Sequence, residues 1–462
     1  EYVEEITGIS AKKVIETARL YGKASPACIY TGRGIDQLGK NTFPTYRGLA
    51  ILRAITGNVD VMGGSHLSVM PDFIPEVELE LSTEFAATNP QSISQEKLKL
   101  QSYGGYAKLR ELTMKHNKQL PMRYLTSAHP NRVWKAMLTG EPYPIRSMIV
   151  MGSNPLLTQA DTKLVYEALK SLDLLIVLEL FETPTSMLAD YVLPSAGVLE
   201  RPVMETNAGV SNIAYGGDKA VEPYYERRPD YYFFKELGAR LGQEKDWPWE
   251  TYTDALAASL EPTGYDWDIY REYGLYTAEN EYQKYEKVNE NGEVNGFATK
   301  TGKVEIYSEF LKDLGEDPLP QPQILPEKDE KFPLTMISGA RHQPYYASSY
   351  HQLERFRKIH PHPIVEMSPE TGKKLGLKEG EYVEVETERG KARFMTKIIN
   401  MCDDVVSVEY GWWHPEMKAA EPELGGLWLS NANILTNGDF ETSDPLVGTW
   451  TYNGIPCRVN KI

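Results

Sequence analysis

The stretch 146–194 constrains this chain more than any other. Two short apolar runs, 148–151 and 174–178, flank a segment in which Leu164, Val165, Ala168 and Leu169 recur at helical spacing. The order reads strand, helix, strand, which is a βαβ unit. The first run ends in Gly152-Ser153-Asn154-Pro155. The second ends in Glu179, followed by Phe181-Glu182-Thr183-Pro184-Thr185, a short helix, and Ala189-Asp190-Tyr191-Val192-Leu193-Pro194. Both polar loops therefore leave the carboxyl ends of strands, where open parallel sheets bind ligands.

The chemistry of these loops suits a nucleotide-like ligand. Gly152 lets the backbone approach closely, Asn154 offers an amide, and exposed N–H groups at the start of the next helix suit phosphate. Glu179 can accept two N–H bonds, as a guanine edge would supply. The same residues also read as an ordinary buried βαβ unit with an Asn-Pro turn, and both readings stand at this point.

The rest of the chain sets bounds. Its 462 residues have room for two or three domains, and 41% hydrophobic with 25% charged residues is the balance of a globular protein. A net charge of −16 argues against a general nucleic-acid or anionic-membrane binder, while leaving anionic cofactors free to use locally positive pockets. No apolar run approaches the length of a bilayer span, so no direct membrane insertion is expected. The chain starts at Glu1 with no signal peptide, the pattern of a processed protein or a fragment, and cytoplasmic and periplasmic locations both remain open. Cys28, Cys402 and Cys457 are far apart and form no C-x-x-C, so neither a disulfide framework nor an iron–sulfur cluster within this chain is expected. His360-Pro361-His362-Pro363 invites a metal-site reading. No carboxylate or thiolate at ligand spacing completes it, and the flanking prolines favour an extended edge.

Along the chain, Ser10 caps a helix over 11–21, and 27–31 reads as a strand ended by Gly32-Arg33-Gly34. A helix over 45–56 closes at Gly57-Asn58. Periodicity fades from 70 to 130, with a helix expected at 107–116. Helices are expected at 133–138 and 231–241, and the tyrosine-rich stretch 247–295 reads as a packed surface excursion. The proline-rich 318–326 reads as a linker. Beyond 332 the pattern is β, with strands at 334–337, 364–367, 382–387, 391–398 and 405–410. A hairpin turns at Glu388-Arg389-Gly390, and Ser368-Pro369 caps a helix ending near Gly376.

Taken in order, Gly152-Ser153-Asn154-Pro155, Glu179-x-Phe181-x-Thr183-x-Thr185, the Ala189 to Pro194 motif and Glu200-Arg201-Pro202 resemble the molybdopterin oxidoreductase (DMSO reductase) family. The likeness continues through Gly302-Lys303-Val304-Glu305-Ile306-Tyr307-Ser308, which is similar to a strand of the family. It extends to Gly339-x-Arg341-His342 with Tyr350-His351, to Gly411-Trp412-Trp413-His414-Pro415-Glu416, and to Asn431-x-Asn433-x-Leu435-Thr436. One loop departs from it. Glu205-Thr206-Asn207-Ala208-Gly209 stands where many relatives carry Gly-Thr-Phe-x-Asn-x-Glu-Gly-Arg.

The resemblance implies a fold of the α/β plus β class, with Rossmann-like α/β domains followed by a C-terminal double-psi β-barrel. It divides the chain into the closing part of an inserted α/β domain (1–75), a dinucleotide-binding α/β domain with a variable funnel-lining segment (76–317), a linker (318–332) and a molybdopterin dinucleotide-binding barrel (333–462). It implies bis-molybdopterin guanine dinucleotide carrying molybdenum or tungsten. The implied contacts are Gly152, Ser153, Asn154, Pro155, Glu179, Phe181, Thr183, Thr185, Arg341, His342, His351 and Asn433. A [4Fe–4S] cluster and the metal's protein ligand are expected only in an N-terminal portion outside this chain, so no catalytic residue or metal ligand is assigned. The expected function is that of the C-terminal portion of a catalytic subunit, moving an oxygen atom or two electrons on a small-molecule substrate, with an iron–sulfur electron-transfer subunit as a compatible partner. Two alternatives accompany it. Pro142-Tyr143-Pro144-Ile145-Arg146, Thr183-Pro184-Thr185 and Ser349-Tyr350-His351-Gln352 resemble a non-redox tungsten hydratase of the family. A non-catalytic cofactor-binding or assembly module is the other.

Overall fold

A computed structural model describes residues 2–32, 34–67, 72–74, 100, 108, 111–112, 128–206, 212–323 and 328–462. Its organising sheet has three parallel strands, β1 (Ser147–Met151), β2 (Leu174–Glu179) and β3 (Tyr191–Pro194), in that spatial order. The register pairs Met151 with Leu178 and Glu179 with Pro194, so the strands end almost level and their loops emerge along one edge. The helices Pro130–Thr139 and Thr162–Lys170 cover the sheet, with Trp134, Val165, Ala168 and Leu169 packed on Val150, Leu175 and Val177. Each buried valine and leucine here contributes about 1.5–3 kcal/mol by leaving water.

The crossover helix is not continuous. A single turn, Pro155–Thr158, follows β1, and a second helix starts at Thr162. Asp161, at φ +60°, breaks the two apart and caps the second, accepting the Leu164 N–H at 3.1 Å. The apolar spacing of Leu164 to Leu169 marks only that second helix, although Leu156 and Leu157 of the first turn are also fully buried in the core of the β1–β3 unit.

The expected excursion, 247–295, contains the helices Tyr252–Leu260 and Trp267–Tyr273 and the strand β6 (Leu275–Thr277), which completes a small antiparallel sheet with β4 (Val203–Glu205) and β5 (Ile213–Gly217). Its core includes Met204, Leu256, Leu260, Trp267 and Tyr270. Near the N-terminus, helices form at Ala11–Lys23 and Thr42–Ile55, close to expectation. Two expected strands are absent. Residues 27–31 run without a ladder partner and leave Tyr30 95% exposed, and 301–308 forms turns leading into the helix Glu309–Leu314. Strand-like composition does not suffice without a neighbouring edge to pair with. Of the helix expected at 107–116 only Lys108, Glu111 and Leu112 are described, and all three are helical, while Arg33 and most of the departing loop near Asn207 lie outside the described residues. No helix among the described residues is long and apolar enough to cross a membrane.

The C-terminal region is a closed six-stranded barrel of β7 (Leu334–Ala340), β8 (Ile364–Met367), β9 (Tyr382–Glu386), β10 (Lys391–Ile398), β11 (Val405–Glu409) and β12 (Asn453–Lys461). The order β10-β8-β11-β7-β12-β9 closes through the β9–β10 hairpin, and two pairs, β7–β11 and β8–β10, are parallel. Alternate residues point inward, including Met336, Val365, Met367, Val383, Val385, Phe394, Val406 and Val408. Closure leaves no free edge to this sheet. Ser368 caps the helix Pro369–Leu375 through the Thr371 N–H at 3.0 Å, as its sequence indicated.

The barrel and the parallel sheet are not packed as separate bodies. Trp413, Leu424 and Leu427 follow β11 in sequence, yet they belong to the hydrophobic core of the β1–β3 unit.

Candidate dinucleotide site

The loops after β1 and β2 lie side by side at the carboxyl edge of the sheet. Gly152 donates its N–H to the Leu178 carbonyl at 3.0 Å and turns the chain at φ +52°. A Cβ there would meet no described protein atom within 4 Å, and the positive φ is what favours glycine at this turn. Ser153 is exposed beside it, and Pro155 is buried at the first position of the one-turn helix.

Asn154 is the sharpest feature. It is 4% exposed, and its Oδ1 accepts the Thr185 hydroxyl at 2.7 Å. Its Nδ2 is buried with no hydrogen-bond partner among the described residues. A buried amide donor left unpaired costs about 1–3 kcal/mol, which a ligand acceptor would recover. Glu179 lies at the end of the next strand. Its Oε1 accepts the Leu180 N–H at 2.7 Å. Burial pushes its pKa upward and the charge of Asp230 adds to this, while the Leu180 and Phe181 amides pull the other way. Phe181 is 37% exposed on the same loop.

Thr183 and Thr185 have a different place. Both are buried, and both bond within the protein. Thr183 exchanges bonds with Ser186, whose N–H reaches its hydroxyl at 3.2 Å. Thr185 accepts the Leu156 N–H at 3.2 Å while donating to Asn154. They shape the loops that carry Asn154 and Glu179.

The barrel brings a cation to the same region. Arg341, just beyond β7, is exposed and has no carboxylate within ion-pair distance among the described residues. Its guanidinium lies 5.8 Å above the Tyr410 ring, and the Tyr410 hydroxyl donates to the Thr158 carbonyl at 3.5 Å, at the end of the turn that follows Asn154. Burial pushes the Tyr410 pKa up to about 12. An unpaired guanidinium fork suits phosphate.

The histidines turn inward. His342 sits 3.5 Å from Glu366 and 5.3 Å, ring to ring, from His360, and burial holds its pKa down. His351 is 1% exposed, stacked on Tyr345 at 4.1 Å and edge-on to Trp412. The neighbouring Gln352 donates to the Glu182 carbonyl at 2.7 Å, tying this loop to the one after β2. His360 bonds both oxygens of buried Glu409, at 2.9 and 3.0 Å, a pairing no sequence signal announced. Among the described residues no three His, Cys, Asp or Glu side chains are grouped as the ligands of a metal ion would be. Asn433, expected at a pterin edge, is 1% exposed. Its amide donates to the Leu157 carbonyl at 2.7 Å and accepts the Thr436 hydroxyl at 3.1 Å.

A parallel sheet with a polar carboxyl edge is thus joined through a shared core to a closed barrel that adds an arginine with no ion-pair partner among the described residues, an arrangement that suits a nucleotide-like ligand. Comparison with known proteins makes this specific. The molybdopterin oxidoreductase family profile matches residues 24–240, and the molydopterin dinucleotide binding domain profile matches 334–456. Acetylene hydratase of Syntrophotalea acetylenica is 31% identical across 98% of this chain, and dopamine dehydroxylase of Eggerthella lenta is 26% identical across all of it. The solved structure of acetylene hydratase from Pelobacter acetylenicus superposes with a TM-score of 0.87 at 29% identity, covering 100% of this chain. The chain belongs to the molybdopterin oxidoreductase family. It spans 63% and 51% of the length of the two sequence relatives and 64% of the solved structure.

Proposed function

We propose that this chain is the C-terminal portion of the catalytic subunit of a molybdenum- or tungsten-dependent enzyme, and that it holds bis-molybdopterin guanine dinucleotide. The observation that carries the reading is the buried, unpaired Nδ2 of Asn154 at the carboxyl edge of a parallel sheet, one strand away from Glu179. In this reading Gly152, Ser153 and Asn154 contact one nucleotide moiety, with Pro155 fixing the turn. Glu179 accepts the N–H edge of guanine, Phe181 flanks the base, and Arg341 neutralises phosphate. Thr183, Thr185 and Asn433 act from behind the contacts, and His342 and His351 shape the barrel side of the site.

When bound, the cofactor supplies a metal centre able to move an oxygen atom or an electron pair. The protein's part here is to orient the cofactor and to set the charge around it. An iron–sulfur electron-transfer subunit and a [4Fe–4S] cluster in the rest of the protein accompany this oxidoreductase reading. A second reading, non-redox hydration, draws support from the similarity to acetylene hydratase along nearly the whole chain.

The test uses the full-length protein prepared anaerobically, with molybdenum, tungsten, iron and acid-released guanine nucleotide measured per chain. Two nucleotides and one metal are expected, and Glu179→Gln is expected to lower nucleotide retention without shifting the melting temperature. A folded protein free of nucleotide would overturn the reading. Turnover with a reduced viologen dye favours the redox reading, and alkyne hydration without electron flow favours the second.

A further inference from the structure

We propose that Asn431 and Asn433 are positioning residues that orient the Asn154 amide from the barrel side, without touching the ligand. This rests on the reading of Asn154 as a cofactor contact. The one-turn helix Pro155–Thr158 is too short to hold its own direction, and its last carbonyls have no helical partners. Barrel asparagines supply them. Asn431 Nδ2 donates to the Leu156 carbonyl at 3.0 Å and to the Thr162 hydroxyl at 2.9 Å, across the break between the two helices. Asn433 Nδ2 donates to the Leu157 carbonyl at 2.7 Å. Thr436 completes the clamp, accepting the Asp161 N–H at 3.2 Å and donating to Asn433 Oδ1 at 3.1 Å.

The other end of the turn carries the consequence. The Leu156 N–H donates to Thr185 Oγ1 at 3.2 Å, and that hydroxyl donates to Asn154 Oδ1 at 2.7 Å. This relay fixes which side of the Asn154 amide is engaged and leaves Nδ2 as the atom without a partner. Asn431, Asn433, Thr436, Leu156, Leu157, Thr162 and Thr185 are all at most 1% exposed, so no solvent replaces a lost member. The barrel thus sets the aim of a donor more than 270 residues earlier in the chain.

The experiment compares full-length wild type with Asn154→Ala, Asn433→Ala, the double variant, Thr436→Val and Phe394→Ala. The readouts are the half-time of guanine-nucleotide release and the melting temperature. Asn154→Ala and Asn433→Ala are each expected to shorten the half-time by roughly tenfold, with the double variant no worse than Asn154→Ala alone. Phe394→Ala destabilises the barrel interior and is expected to lower the melting temperature while leaving release unchanged, which separates positioning from stability. Thr436→Val keeps the volume, is expected to speed release in part, and decides the matter if Asn433→Ala fails to fold. Wild-type release from Asn433→Ala, or from Thr436→Val where that variant decides, overturns the proposal. So does a double variant whose loss is the product of the two single losses, since Asn433 would then act as an independent contact. Wild-type release from Asn154→Ala overturns the cofactor reading of Asn154, and the proposal falls with it.

Discussion

Replacing His351 with phenylalanine removes a group that the fold keeps from taking up a proton. The imidazole is 1% exposed, stacks on Tyr345 with an interplanar angle of 9°, and meets the Trp412 ring at 4.9 Å. Burial depresses its pKa to about 3, against a small opposing pull from the Ala347 carbonyl, and the nearby Arg357, His360 and His414 push it further down. In the unfolded chain the same group titrates near ~6.5. As pH falls below that value the unfolded state binds a proton that the native state refuses. The native state is therefore at full advantage above ~6.5 and loses ground progressively toward pH 3. At pH 5.0 the loss from this one group is about 2 kcal/mol, at roughly 1.4 kcal/mol per pH unit. Phenylalanine keeps the stack and cannot titrate. Urea unfolding, followed by the fluorescence of buried Trp412 and Trp413 at pH 7.5 and pH 5.0, measures the difference. Wild type should lose about 2 kcal/mol more than His351→Phe between the two conditions, because the other buried histidines contribute equally to both. Equal losses would refute the argument.

Three further outcomes follow from the packing. Gly411→Ala places a Cβ 2.6 Å from the Ala347 carbonyl carbon at φ +82°, and the conformational strain alone costs about 1–3 kcal/mol, read as a lower melting temperature. Trp413→Ala empties a 1%-exposed site where the Trp413 Nε1–H donates to the Ser348 carbonyl at 3.1 Å. It should cost about 3–5 kcal/mol by denaturant titration. Lys284→Ala leaves the fully buried carboxylate of Asp60 without its 2.6 Å ammonium partner. A loss on the order of 3 kcal/mol is expected, with faster proteolysis of the 276–302 stretch.

The βαβ unit and the barrel were legible because their signals are local. Alternating or continuous apolar runs mark strands, and Ser368-Pro369 marks a helix start whatever the rest of the chain does. The strand expected at 27–31 shows the limit, since pairing is a property of two segments and only one was visible. The family likeness pointed to the loops after β1 and β2 and to the segments around Arg341 and Asn433, and the structure shows several of those side chains hydrogen-bonded within the protein. Asn433 and Thr185 look like ligand donors in sequence. Their partners, Leu157 and Asn154, lie 276 and 31 positions away, a separation that no spacing rule spans. The polar string His342 to His362 invited ligand roles for the same reason. Only the folded barrel shows His351 pressed on Tyr345 and His360 held by Glu409.

The placement of Trp413, Leu424 and Leu427 inside the core of the β1–β3 unit has a consequence for modularity. Leu424 and Leu427 are fully buried, yet they come from the segment that follows the barrel strand β11. A nick in the proline-rich connection before β7 would therefore yield two peptides that stay together and melt in one transition. A barrel grafted from a relative would have to bring along the matching sheet surface, so the pair is the smallest unit that recombination can exchange intact.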